Sequence, residues 1–180
     1  MSLSLEEWRA RFAAVEHGAF HLELRDSYGV AEESSRFGRW LAGERESYAD
    51  VAEWFRDWTG KVRAITSTGR SVHRVRVVTE PISPYIAFEH HDTPHNIAAG
   101  EDIRWLPRHQ LPEGIVFPVG GNDWWLLDDS ALVVNHFDAD GRSSSRELIE
   151  DPVVVAACVQ VRDLLWGQAI PHADYPPVTA

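Results

Sequence analysis

Cysteine and lysine are almost missing from this sequence: Cys158 and Lys61 are the only ones in 180 residues. A lone cysteine excludes an internal disulfide and any cysteine-based zinc cluster. Cys158 lies in an apolar helical pattern and reads as a buried, inert thiol. Long apolar runs are missing too. The longest, from Val153 to Val159, falls far short of the ~18 residues that cross a bilayer. The opening MSLSLEEWRA lacks the charged-then-apolar layout of a signal peptide. A cytoplasmic protein with no membrane segment is expected. Positive charge is also short, with a formal net charge of −11. That average field repels phosphate, so direct nucleic-acid binding needs a local basic patch. No such patch is visible, because the arginines are spread among acids.

What is present is an ordinary globular composition, 44% hydrophobic and 25% charged. With no internal repeat or low-complexity linker, residues 1–180 read as one domain. Ser4-Leu5-Glu6-Glu7 fits a capping box opening a helix over about 4–16. Phe20 to Arg25 alternates apolar and polar, as a half-buried strand does. A short helix is expected around Phe37–Leu41. Asp50 is placed as the cap of the next helix, whose inward face carries Val51, Trp54, Phe55, Trp58, Val62 and Ile65, with Gly69 just past its end. Val72 to Val78 reads as a buried strand. Ser83-Pro84 looks like a cap and first helical position, and Glu101 to Leu106 like a strand stopped by Pro107. After a Pro/Gly loop over 107–122, residues 123–127 and 131–137 form a hairpin around Asp128-Asp129-Ser130. Asp151-Pro152 starts a last long helix. The tail, residues 171–180, is expected to be loose. Strands separated by helices predict an α/β or α+β fold, a mixed sheet covered by helices.

The segment AFEHHDTPHN, residues 87–96, packs three histidines and two carboxylates together. His91 and His95 have the i, i+4 spacing of a helical zinc pair. Pro94 lies between them, and the expectation is therefore a helix break at Thr93-Pro94. The two histidines then fall on separate short helices, in solvent or capping roles, and no metal and no cofactor are expected. Asp138-Ala139-Asp140-Gly141 resembles the start of a calcium loop but lacks the later acidic ligands, and reads as a turn. No GxSxG, GxxxxGK or GxGxxG pattern exists in the chain. Trp124-Trp125 is informative for another reason. Neighbours on a strand point to opposite faces, so one faces the core and the other a covering helix or a partner protein.

Tyr85-Ile86-Ala87-Phe88-Glu89-His90, Asn96, Ala99-Gly100-Glu101-Asp102, Ile103 to Arg108, Asn122 to Leu126 and Asn135-His136-Phe137 together resemble an actinobacterial family known only as a domain of unknown function. The likeness runs from about Phe20 to Tyr175. It implies a cytosolic protein often encoded near Xre-type helix-turn-helix regulators. Glu89, His90, Asn96 and Glu101 match the family pattern, whereas His91 and His95 do not. The succession of elements also resembles one half of a phospholipase-D-like domain. Those enzymes carry HxKxxxxD. Here Thr59 stands two residues before the only lysine, Lys61, so that motif cannot exist.

Three functional expectations follow. The first is a non-catalytic regulatory or interaction protein whose partner is a helix-turn-helix regulator. The 107–122 loop and Trp124-Trp125 are its candidate contact surfaces, and homodimerisation is left open. The second is a hydrolase or phosphodiesterase with an atypical site drawn from Glu80, Glu89, His90, Arg108 and His136. The third is a sensor of a small anion, bound by Arg76, Arg104 or Arg108.

Overall fold

The computed structural model describes residues 1–179. In chain order the main elements are α1 (Leu5–Ala13), β1 (Gly18–Glu23), α2 (Ser34–Leu41), α3 (Tyr48–Thr66), β2 (Ser71–Val78) and α4 (Pro84–Ala98). There follow β3 (Glu101–Pro107), β4 (Asp123–Leu127), β5 (Ala131–Phe137), β6 (Ser143–Ile149), α5 (Pro152–Gln168) and β7 (Ile170–Pro171). The seven strands form one mixed sheet in the order β6-β5-β4-β1-β2-β3-β7. Strands β1, β2 and β3 run parallel, and every other pairing is antiparallel. The expected α/β sheet covered by helices is what the chain forms.

Local chemistry sets most boundaries as the residues suggest. Ser4 and Glu7 exchange hydrogen bonds in the capping box. Ser83 and Asp151 cap α4 and α5, each with proline at the first helical position. Helix α3 differs: Ser47 is its cap, accepting from the Asp50 amide, so Asp50 lies inside the first turn. Gly100, at φ +95°, turns the chain from α4 into β3. A Cβ there would lie 2.6 Å from the Thr66 hydroxyl, so only glycine fits.

The expected helix break at Pro94 does not occur; α4 runs through it. The missing amide is tolerated because this turn is held from outside. Asp92, Thr93, His95 and Asn96 are all buried, and the Thr93 hydroxyl donates to the Glu89 carbonyl at 2.7 Å. His95 is not solvated but stacks on Tyr48, 4.1 Å between ring centres. Residues 143–149, outside the elements expected from the sequence, form β6 alongside β5. The tail is not loose at its start. β7 pairs with β3, and Tyr175 stacks on Trp105 at 5.4 Å and is buried. The tail's docking depends on β3, a partner distant in sequence, which local pattern cannot reveal; β6 instead pairs with β5, its neighbour in the chain.

Two apolar clusters lie on one sheet face. One, under α1 and α3, contains Phe12, Val62, Ile65, Val72 and Val133. The other, under α2 and α4, contains Ile86, Phe88, Ile103 and Trp105. The opposite face, with Phe20, Leu22, Val75, Val77, Trp124 and Leu126, packs on Val155, Cys158, Val161 and Leu165 of α5.

Candidate functional site

Side chains alternate across a strand, and here the alternation separates chemistry from packing. The α5 face of β1, β2 and β4 is apolar apart from His73, which stacks on Trp166 of α5. The other face presents His21 and Glu23 from β1, Arg74 and Arg76 from β2, and Asp123 and Trp125 from β4, between the two apolar clusters. Register sets neighbours: His21 lies opposite both Arg74 and Trp125, and Glu23 lies opposite Arg76. Helix α4 adds Tyr85, Glu89, Asp92 and Asn96, and α3 adds Trp54, Phe55 and Trp58. Together they enclose a cavity of about 580 Å³.

Its floor is a lattice of ion pairs. Arg74 donates to Glu101 through Nε and to Glu23 through Nη1, both at 2.7 Å. Arg76 donates from Nη1 to Glu89 at 2.6 Å, and its Nε lies 2.9 Å from Glu23. Glu101 is wholly buried and also accepts from Asn96 at 3.0 Å and Trp58 at 3.3 Å. Charges this deep are tolerated only when paired. Burial alone would raise the Glu23 carboxyl, but Arg74 and Arg76 outweigh it and hold it at about 2.

The rest of the cavity has the opposite balance. Burial, and then the neighbouring Glu89 carboxylate, push Glu33 up to about 7, although Tyr85 donates to it at 2.8 Å. Burial also lifts Asp123 to about 6, against hydrogen bonds from Tyr28 and the Leu24 amide. His21, stacked on Trp125 at 4.1 Å, is held neutral by burial, its pKa lowered to about 3.

Of the nine residues singled out in the sequence, this cavity gathers three, Arg76, Glu89 and Trp125. His90 points to the tail, among Trp105, His172 and Tyr175. Glu80 accepts from Tyr175 at 2.7 Å. Arg108 clamps backbone, donating to the Leu24 carbonyl at 2.6 Å and to that of Val77 at 3.3 Å. Arg104 stacks on Trp166 of α5, 3.7 Å from the ring centre. His136 pairs with Glu147 across β5 and β6 at 3.0 Å. Trp124 is fully buried beneath α5. Covering helices, rather than a partner, therefore account for both faces of the Trp124-Trp125 pair. The 107–122 loop turns Leu111, Ile115, Phe117 and Val119 onto the α5-side core.

Sequence reasoning missed His21, Tyr28, Glu33, Arg74 and Asp123. The signal for four of the site's charged positions was there: His21-Leu22-Glu23 and Arg74-Val75-Arg76 place charge at every second position of strands covered by helices on both sides. A second cavity, of about 540 Å³, opens by His17, His73, Asp128 and Arg162. Its polar groups are already committed, Asp128 to three backbone amides and Arg162 to Asp129 and Asp163. Among the described residues no three His, Cys, Asp or Glu side chains converge as a metal site would require.

This architecture is similar to NucT from Helicobacter pylori, with a TM-score of 0.51 over 93% of this chain and 89% of that one, at 7% identity. The fold is thus phospholipase-D-like. Phosphatidylserine synthase from Haemophilus influenzae is similar at a TM-score of 0.47 and 10% identity, over 97% of this chain; the chain spans 38% of its length. No curated protein matches the sequence. The family described as "Domain of unknown function (DUF6879)" matches residues 6–177, and the chain belongs to it.

Proposed function

We propose that the chain is a non-catalytic binding module on a phospholipase-D-like scaffold, working in the cytoplasm of an actinobacterium with a helix-turn-helix regulator. The observation that carries this reading is the ion-pair lattice on the cavity floor. Both central guanidiniums, Arg74 and Arg76, are held between carboxylates. The only lysine, Lys61, does not line the cavity and is paired with Asp57. Neither nitrogen of His21 has a hydrogen-bond partner to orient the ring or relay a proton, as an activated nucleophile needs. What is left is a rigid, partly aromatic recess, which suits recognition better than turnover.

The hydrolase alternative has less support, because Glu80, Glu89, His90, Arg108 and His136 each engage a different neighbourhood. The anion-sensor alternative is weakened in the same way: Arg76, Arg104 and Arg108 all have partners that an anion would have to displace. Co-expression of the chain with its neighbouring helix-turn-helix regulator, followed by size-exclusion chromatography, tests the proposal. A co-eluting stoichiometric complex is expected. Separate elution of the two proteins at micromolar concentration contradicts the reading.

A further inference from the structure

We propose that the cavity between the sheet and helices α3 and α4 binds a small organic cation, an alkylammonium or alkylguanidinium compound, between Glu33, Glu89 and Asp123. The inference rests on the binding-module reading and names the ligand class of that same cavity.

Charge count is the first support. The lining residues include six carboxylates, Glu23, Glu33, Asp57, Glu89, Asp92 and Asp123, against four guanidiniums, Arg9, Arg74, Arg76 and Arg146. Two of those guanidiniums, Arg74 and Arg76, are themselves shared among three carboxylates, the buried Glu23 and Glu101 and the partly buried Glu89. Glu89 is paired with Arg76, whereas Glu33 and Asp123 make no direct ion pair; Arg76, Arg36 and Arg25 act on them only from farther off. Tyr85 and Tyr28 are the side-chain donors to Glu33 and Asp123, and both are neutral hydroxyls. A bound cation would supply the missing charge.

His21 is the second, independent support. It lines the cavity and is more than nine-tenths buried, yet neither ring nitrogen has a hydrogen-bond partner. Its Nδ1 lies 3.3 Å from Glu23 at an angle too oblique for a hydrogen bond. A buried polar group left without a partner costs about 1–3 kcal/mol, so such a group marks a place where another molecule's donor or acceptor belongs. With the imidazole neutral, one of its two unpartnered nitrogens carries a lone pair, which calls for a donor such as the N–H of an amine or guanidine.

Size and shape decide between a metal ion and an organic cation. The carboxylates are spread around a space of about 580 Å³ and do not converge on one point. That volume falls within the roughly 300–1,000 Å³ of small-molecule pockets. The indole and phenyl rings of Trp54, Phe55, Trp58 and Trp125 line the same space and suit the apolar body of such a ligand, or its charge.

The site's pH response follows from its own groups. Glu33 is faced by Glu89 and Tyr85 of α4, by Arg76 of β2 and by Arg36 of α2; Asp123 is faced by Tyr28, Glu23 and Arg25. Both carboxyls titrate at about 6 to 7. Below that range they are neutral and hold a cation weakly. Above it they are charged, so affinity rises with pH through this window.

Isothermal titration and tryptophan fluorescence with agmatine, tryptamine and inorganic phosphate test the inference at mildly acidic and mildly alkaline pH. Saturable binding of agmatine or tryptamine is expected, tighter at alkaline pH. It should weaken about tenfold in Glu33→Gln or Asp123→Asn, the loss expected for one charge-assisted contact. Thermal unfolding of each variant identifies any that fails to fold, and the other then serves. Absence of saturable binding by either cation up to millimolar concentration overturns the inference. So does cation binding that is unchanged in both folded variants. Binding of phosphate alone overturns the cation and leaves the binding-module reading standing. A regulator complex that forms while the cation titrations stay flat separates the two failures in the same way.

Discussion

At the scale of single residues, the decisive feature is where charge sits on the strands. Arg76 is buried between Glu23 and Glu89. Removing one partner of a buried pair leaves the other uncompensated, which costs about 3–5 kcal/mol. Arg76→Met should therefore lower the urea midpoint sharply with an unchanged slope. Glu89→Gln in that background should recover part of the loss, and a double-mutant cycle measures how much. Glu33 makes the opposite statement. Its carboxyl is raised from an ordinary 4.5 to about 7, so its contribution to stability is present in full below 4.5 and is lost as pH rises through about 7. Glu33→Gln should remove that loss. Its melting temperature should fall less than the wild type's between mildly acidic and mildly alkaline pH, with each pKa unit worth about 1.4 kcal/mol. Burial of these positions is not legible residue by residue, since a charged side chain in isolation reads as exposed. It becomes legible only with the neighbours: strands that carry charge at every second position, between helices, have no water to face.

At the scale of elements, caps and turns are the parts a sequence states most openly. Ser4, Ser83-Pro84 and Asp151-Pro152 begin helices where their side chains say they should, and Asp128 to Ser130 turns the β4–β5 hairpin. Asp128 does more than turn. Its carboxylate accepts from the amides of Glu16, His17 and Gly18 at 2.9, 2.8 and 3.0 Å, tying the hairpin to the start of β1. Asp128→Ala should cost about 1–3 kcal/mol, read as a lower melting temperature with the circular dichroism of the folded state retained. The errors at this scale share one cause. Pro94 was expected to break α4, and residues 143–149 carried no assigned element. In both places contacts outside the segment decide: buried Asp92, Thr93 and Asn96 hold α4 through the proline, and β5 supplies β6 with its hydrogen bonds.

At the scale of the whole molecule, the lattice and the surplus carboxyls act on stability from opposite ends of the pH range. Glu23, held at about 2 by its arginines, adds stability that is complete above about 4.5 and lost as pH falls toward 2. Glu33 and Asp123 subtract stability as pH rises through about 7 and about 6. His21 and His90, held neutral with pKa values lowered from 6.5 to about 3 and about 4, oppose them, since their contribution is present above 6.5 and is lost as pH falls. Stability should therefore peak near neutral pH and fall on acidification, which a series of thermal melts across pH would reveal; a flat profile would show these groups to be unshifted. The sheet covered by helices, and its likeness to phospholipase-D-like proteins, could be read from the order of elements, and the absence of the HxKxxxxD motif from the single lysine. The cavity could not, because it is assembled from β1, β2, β4, α3, α4 and the segment before α2, which meet only in the folded chain.

The measurement that bears most directly on the central claim is phosphodiester turnover by the purified chain, followed with bis(p-nitrophenyl) phosphate. A binding module whose central guanidiniums are locked by carboxylates, with no lysine beside its histidine, should release p-nitrophenol no faster than buffer does. Turnover above buffer that disappears in a folded His21→Ala variant would contradict the account and restore a reaction to this cavity.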